Sequence, residues 1–290
     1  MVVGAALAPP VTFAIISKPH ERGTHMAIEV MSRFENKYLL TTEAYEKIRR
    51  GVEDYAVPDI YNINNAFYTI ANIYYDTNDN YLIRTSLNKP QYKEKLRLRS
   101  YGVPTEFDTV YAEIKKKCKG MVNKRRTGLP LPFAYELMET YSLGDIADNA
   151  QIAQEVMFAL HSYKPRPKVY IAYDRRAYTG ESDLRITFDT NIRTRRHNLR
   201  LDAGDYGEPL VSDGVWLMET KTDSAIPIWL ARLLSENSAY STSFSKYGTE
   251  YKKFIQKERG EDTCLNPFLT PQTTQLLPQS HGKTLSQQLA

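Results

Sequence analysis

Residues 93–99 read KEKLRLR, and residues 111–117 read YAEIKKK. Both stretches alternate with period two, the signature of a strand with two unlike faces. Lys93, Lys95, Arg97 and Arg99 share one face, with Leu96 and Leu98 on the other. Tyr111, Glu113, Lys115 and Lys117 share a face, opposed by Ala112 and Ile114. An amphipathic strand normally turns its charges to water, but four cations in a row on one strand face repel one another and their neighbours.

The same pattern recurs along the chain. Arg33, Glu35 and Lys37 share a face. In 184–192, Leu184, Ile186, Phe188 and Ile192 oppose Arg185, Thr187, Asp189, Asn191 and Arg193. In 215–221, Glu219 and Lys221 oppose Trp216 and Met218, and 72–76 and 169–178 are Tyr-rich strands. The polar faces carry ten cations (Arg33, Lys37, Lys93, Lys95, Arg97, Arg99, Lys115, Lys117, Arg185 and Lys221) against four acids (Glu35, Glu113, Asp189 and Glu219). A polyanion that neutralises the face explains this excess. Between the strands, a helix capped by Thr41 or Thr42 runs to about Tyr55, and Ile152, Val156 and Leu160 stripe another over 150–162. Pro227 opens a third, and the last spans about 248–258.

These elements predict an α+β fold. The strands would form a closed antiparallel β-barrel tunnel of about eight strands, with polar residues inward and helices packed on the outside. A tunnel lined by cations suits an elongated anion. Arg grips phosphate bidentately and Lys as a point charge. The acids suit a divalent cation held by carboxylates and phosphate oxygens.

Composition narrows the rest. The 290 residues hold 38 Lys+Arg against 34 Asp+Glu, a net charge of +4, and 42% hydrophobic residues, which is globular composition. Two cysteines, Cys118 and Cys264, exclude a disulfide-stapled fold. Nucleic-acid binding has little support from this charge, and no zinc-finger or RNA-binding motif occurs. P-loop, GxGxxG, GxSxG and HExxH motifs are missing from the sequence. The five histidines are His20, His25, His161, His197 and His281, in positions that do not favour histidine-based catalysis. No run of 18 apolar residues spans a membrane, and a cytoplasmic location is expected. Residues 1–25 and 259–290 read as disordered extensions, leaving 26–258 as the working domain.

Seven motifs occur in order: Arg33-Phe-Glu35-Asn-Lys37-Tyr38; Lys95-Leu-Arg97-Leu-Arg99; Glu113-Ile-Lys115-Lys116-Lys117, followed by Lys124-Arg125-Arg126; Tyr173-Asp-Arg175-Arg176-Ala-Tyr178; Leu184-Arg185-Ile-Thr-Phe-Asp189; Glu219-Thr-Lys221-Thr222; and Ser243-Phe-Ser245-Lys246-Tyr247. Together, over about 30–256, they resemble the VTC-type polyphosphate polymerase domain. That domain is a branch of the triphosphate tunnel metalloenzymes, the CYTH-like superfamily. Arg33 stands where the wider superfamily has the first Glu of Glu-x-Glu-x-Lys, which matches the VTC branch. Without an added sensing domain or membrane helices, the chain looks like a stand-alone bacterial-type form.

The resemblance implies transfer of the γ-phosphoryl group of ATP to a polyphosphate chain with Mn²⁺ or Mg²⁺. Lys37, Arg97, Arg99, Lys115, Lys124, Arg175, Arg185 and Lys246 would bind the triphosphate or the chain, with Lys95 on the same face. Ser245 would donate a hydroxyl, and Lys221 would assist. Glu219 would be the main metal ligand and Glu35 a second. The catalytic set would be Lys37, Arg97, Arg99, Lys115 and Glu219. The alternatives are an inorganic triphosphatase or polyphosphatase using the same tunnel, and a non-catalytic polyphosphate-binding module.

Overall fold

The computed structural model describes residues 34–62, 66–119, 121–144 and 147–260. Ten strands form one sheet. They are β1 (Phe34–Thr41), β2 (Ala56–Pro58), β3 (Tyr68–Asp76), β4 (Tyr92–Tyr101), β5 (Thr109–Cys118), β6 (Met121–Pro130), β7 (Arg166–Gly180), β8 (Arg185–Arg195), β9 (Glu208–Pro209) and β10 (Val215–Thr222). Six helices intervene: α1 (Thr42–Glu53), α2 (Tyr81–Leu87), α3 (Leu131–Thr140), α4 (Ala150–Tyr163), α5 (Ile228–Glu236) and α6 (Lys246–Glu258). Arg33, the expected extension 1–25, and residues 261–290 of the expected extension 259–290 lie outside the described residues, while Arg259 caps the C-terminus of α6.

The expected closed barrel is not what the ladders form. The strand order is β1-β10-β8-β7-β3-β4-β5-β6, every pairing is antiparallel, and no ladder joins β1 to β6 among the described residues. The sheet therefore has two edges. Side chains nonetheless reach across the seam, where Glu35 of β1 and Lys115 of β5 lie 3.5 Å apart. Accumulated strand twist brings the edges near each other without hydrogen-bonded closure.

The outer face is apolar and helix-covered. Ala71, Ile73, Leu96, Leu98, Val110, Ala112 and Ile114 pack with Leu131, Ala134 and Leu137 of α3 and with Val156 and Leu160 of α4. On the other half, Tyr38, Leu40, Ile186, Phe188 and Met218 meet Tyr45, Ile48 and Val52 of α1 and Leu230 and Leu234 of α5. Each such buried side chain contributes about 1.5–3 kcal/mol relative to exposure.

A third apolar cluster lies on the inner face. Ile70, Val169, Ile171, Val215 and Leu217 pack there against Tyr247 and Tyr251 of α6. Helix α6 thus fills part of the concave side. It places its N-terminal residues, Ser245 and Lys246, beside the charged part. The Ser245 hydroxyl caps the helix by accepting from Gly248 N at 3.1 Å.

The strand periodicity fails at one point. Ile192 packs in the inner cluster, whereas Leu184, Ile186 and Phe188 pack outside. The β7–β8 register shifts between Ala172 and Asp174, and Asn191 takes a left-handed φ of 48°. A bulge of this kind inserts a residue and reverses the facing of the residues beyond it.

Candidate active site

The inner face is built by strand alternation, and its charges fall into three linked groups. On β1 and β10, Lys37 stands opposite Glu219 and Glu35 opposite Lys221, so like charges lie on the diagonals. Lys37 Nζ lies 3.2 Å from Glu35 and 3.3 Å from Glu219, and Lys221 lies 3.7 Å from Glu219.

The second group joins β4, β5 and β6. Arg97 contacts Glu113 at 2.6 Å through Nη2 and donates to it from Nε at 2.7 Å. Lys124 lies 2.9 Å from the other oxygen of Glu113. Arg97 Nη1 donates to Tyr74 Oη at 3.0 Å. Arg99 donates to Asn72 Oδ1 at 2.9 Å and to Tyr173 Oη at 3.4 Å.

The third group joins β7, β8 and α6. Arg175 grips Asp189 bidentately at 2.6 and 2.8 Å. Lys246 lies 2.6 Å from Asp189 and 3.7 Å from Glu219, which ties this group to the first. The Tyr173 ring lies beneath Lys246, with Nζ 4.1 Å from its centroid, and within 5.1 Å of the Arg175 guanidinium.

Every carboxylate of the face is held ionised. Burial pushes Glu35 up, but Lys115, Lys37 and Lys221 outweigh it and bring it down to about 2. Burial pushes Glu219 up, yet Lys37, Lys246, Lys221 and Arg175 hold it well below the carboxylate range. Arg175 and Lys246 likewise overcome burial at Asp189, as do Arg97, Arg99 and Lys124 at Glu113. Lys95 is different. Its Nζ donates to the hydroxyl of Ser245 at 3.1 Å rather than to a carboxylate. Burial first, then Lys115, Lys37, Lys93 and Arg97, depress it to about 7. An ammonium in such surroundings is stabilised by an incoming anion.

Of the residues expected from sequence, Lys37, Lys95, Arg97, Arg99, Lys115, Lys124, Arg175, Lys221, Ser245, Lys246, Glu35 and Glu219 occupy this inner face. Arg185 is not joined to the acids of the face and pairs instead with Asp59 at 2.6 Å. The run Lys124-Arg125-Arg126 splits, because Arg125 turns outward to Glu155 of α4 at 2.8 Å. Glu113 and Asp189, counted from sequence among the acids suited to a divalent cation, are the anchors of Arg97 and Arg175. Sequence reasoning missed Asn72, Tyr74 and Tyr173, which alternation on β3 and β7 could have placed inward.

Among the described residues, no group of three or more His, Cys, Asp or Glu is arranged to hold a metal ion. Glu35 and Glu219 converge on one ammonium, that of Lys37. Two hard carboxylates fit a Mg²⁺- or Mn²⁺-type ion that takes its other ligands from water and phosphate.

The VTC domain pattern matches residues 32–255. No curated protein matches the chain. Among solved structures, a candidate adenylate cyclase from Bacillus halodurans has 14% identity and a TM-score of 0.47, covering 74% of this chain and 96% of its own. A candidate adenylyl cyclase from Hippeastrum, described as having a dominant triphosphatase activity, has 15% identity and a TM-score of 0.46, covering 80% and 97%. No described helix is long and apolar enough to cross a membrane. The match runs from just before β1 to within α6 and takes in all three charged groups of the inner face, so the chain belongs to the VTC domain family.

Proposed function

We propose that the inner face binds the triphosphate of ATP and transfers its γ-phosphoryl group to a polyphosphate chain. One observation carries the reading: Lys37, Arg97, Arg99, Lys124, Arg175 and Lys246 come from five elements (β1, β4, β6, β7 and α6) onto one inner face, and the acids there hold them in place. Phosphoryl transfer needs little covalent help from the protein; positioning and charge neutralisation dominate it.

In this reading Arg97 and Arg99 grip phosphate oxygens, oriented by Glu113, Tyr74 and Asn72. Arg175 and Lys246, oriented by Asp189, take the neighbouring phosphate. Lys95 and Ser245 offer donors close by, and Lys115 and Lys221 add positive charge toward β1. Glu219, with Glu35, would hold Mn²⁺ or Mg²⁺; such an ion neutralises charge on phosphate oxygens when bound. Lys37, between those two carboxylates, is placed to reach a phosphate oxygen beside the ion.

A second reading is hydrolysis of triphosphate or short polyphosphate with water as acceptor. The observation favouring it is α6, whose Tyr247 and Tyr251 fill part of the inner face and shorten the path open to a long chain. Incubation with ATP and Mn²⁺ separates the readings on a polyacrylamide gel. Long polyphosphate supports synthesis. ADP with orthophosphate alone supports hydrolysis. No turnover of ATP or tripolyphosphate leaves a binding module.

A further inference from the structure

Beyond the phosphate-binding residues, the inner face ends in tyrosines. Tyr101 follows Arg99 on the same face of β4, about 7 Å further along at two residues' rise. Tyr111 precedes Glu113 on β5, and Tyr68 of β3 is registered opposite Arg175. Tyr61 joins them from the preceding loop. Tyr61 and Tyr101 stack with centroids 5.9 Å apart and planes 8° apart. Tyr68 lies 6.1 Å from Tyr61 and 6.3 Å from Tyr101, and Tyr111 meets Tyr101 edge-on at 5.9 Å. Arg126 lies over Tyr111 at 4.8 Å and donates to Tyr101 Oη at 3.5 Å.

Packing alone does not account for this collar. Tyr61 is 59% exposed and Tyr101 41%. The Tyr61 loop is held by Asn62, which donates to Arg175 O at 3.3 Å and accepts from Ala177 N at 2.9 Å. The backbone of β7 thus fixes an exposed aromatic ring at the end of the cationic face.

We infer that this collar of Tyr61, Tyr68, Tyr101 and Tyr111 is the seat of the nucleobase of the nucleoside triphosphate donor, an inference that rests on the phosphate reading given above. A nucleotide whose phosphates reach Arg97 and Arg99 leaves its ribose and base further out along β4, where Tyr101 stands. Aromatic rings accept any base by its π face, and Arg126 adds a cation beside it. The described rings supply stacking surfaces and phenol groups. The collar therefore selects nucleotides over inorganic phosphates through stacking, which any base provides.

The test compares MgATP, MgGTP and inorganic tripolyphosphate by calorimetry, on the full chain. Exposed-side variants Tyr61→Ala and Tyr101→Ala are used, with Tyr101→Trp as the conservative change. We expect either Ala variant to weaken ATP and GTP about 5- to 100-fold, the range of one stacking contact. Tripolyphosphate should stay within about twofold of wild type, and Tyr101→Trp should keep ATP affinity. Equal losses for ATP and tripolyphosphate, or no loss for either, overturn the collar. Wild-type protein that binds tripolyphosphate no more weakly than ATP also overturns it, while leaving the phosphate reading intact. Wild-type protein that binds neither overturns both.

Discussion

Glu35 and Lys115 meet at 3.5 Å although no ladder joins their strands. The contact links β1, at one edge of the sheet, to β5, next to the other edge. Glu35 also touches Lys37. It therefore holds together two halves of an inner face that carries an excess of positive charge.

That role has a pH signature. Lys115, Lys37 and Lys221 lower Glu35 from an ordinary 4.5 to about 2. Its stabilisation is complete above pH 4.5 and is lost as pH falls through 2. Glu35→Gln should lower stability by about 1 kcal/mol at pH 7, the upper range for a partly exposed pair. Urea unfolding from pH 7 downward should show wild type and variant converging near pH 2. A constant difference across that range would contradict the electrostatic account.

Asp189 anchors Arg175 and Lys246 together. Asp189→Asn removes the charge and leaves both cations facing each other in a buried site. Breaking one partner of a buried pair costs about 3–5 kcal/mol. Denaturant unfolding should show a loss of that order. A loss below about 1 kcal/mol, the range of an exposed pair, would mean that water or Glu219 replaces Asp189 freely.

Much of this was legible in sequence because period-two alternation sorts charges without knowledge of the fold. KEKLRLR at 93–99 and YAEIKKK at 111–117 identify the lining of β4 and β5, and their leucines and Ile114 pack outside as expected. The final helix begins two residues earlier than its pattern, at Lys246, because Ser245 caps it. Strand β6 was not legible as a strand. Asn123, Lys124, Arg125 and Arg126 are polar on both faces, since Arg125 pairs outward with Glu155. Helix α3 escaped because Pro130 precedes it with no side-chain cap. Ile192 was misfaced by a bulge that only the ladder reveals. Barrel closure was the largest overreach: alternation says which side a residue faces, not whether the first and last strands pair.

Loss of hydration and the cations around it push half-buried Lys95 down to about 7. Bound phosphate favours its protonated form, so binding takes up a proton above pH 7. Tripolyphosphate affinity should fall as pH rises from about 7 to 9, with proton uptake visible in buffers of different ionisation enthalpy. Lys95→Met should weaken binding at pH 6.5 and flatten that pH dependence. A slope unchanged in the variant would assign the proton elsewhere.

Ser245 both caps α6 and accepts from Lys95. Ser245→Ala should destabilise the protein by about 1 kcal/mol through the lost cap. It should also lower tripolyphosphate affinity, since Lys95 loses its orienting partner, whereas Ser245→Thr should retain both properties. Thermal melting and calorimetry on the same samples separate the two effects. An Ala variant with full stability and full affinity would remove α6 from the site.

Each functional role proposed for these residues requires a triphosphate to lie on the inner face among Arg97, Arg99, Arg175 and Lys246. A crystal structure with tripolyphosphate puts that requirement to the test. Phosphate density is expected within hydrogen-bonding distance of Arg97 and Lys246, with Lys95 near one end. Tripolyphosphate bound only on the outer surface, with the ion pairs of Glu113 and Asp189 undisturbed, would contradict it.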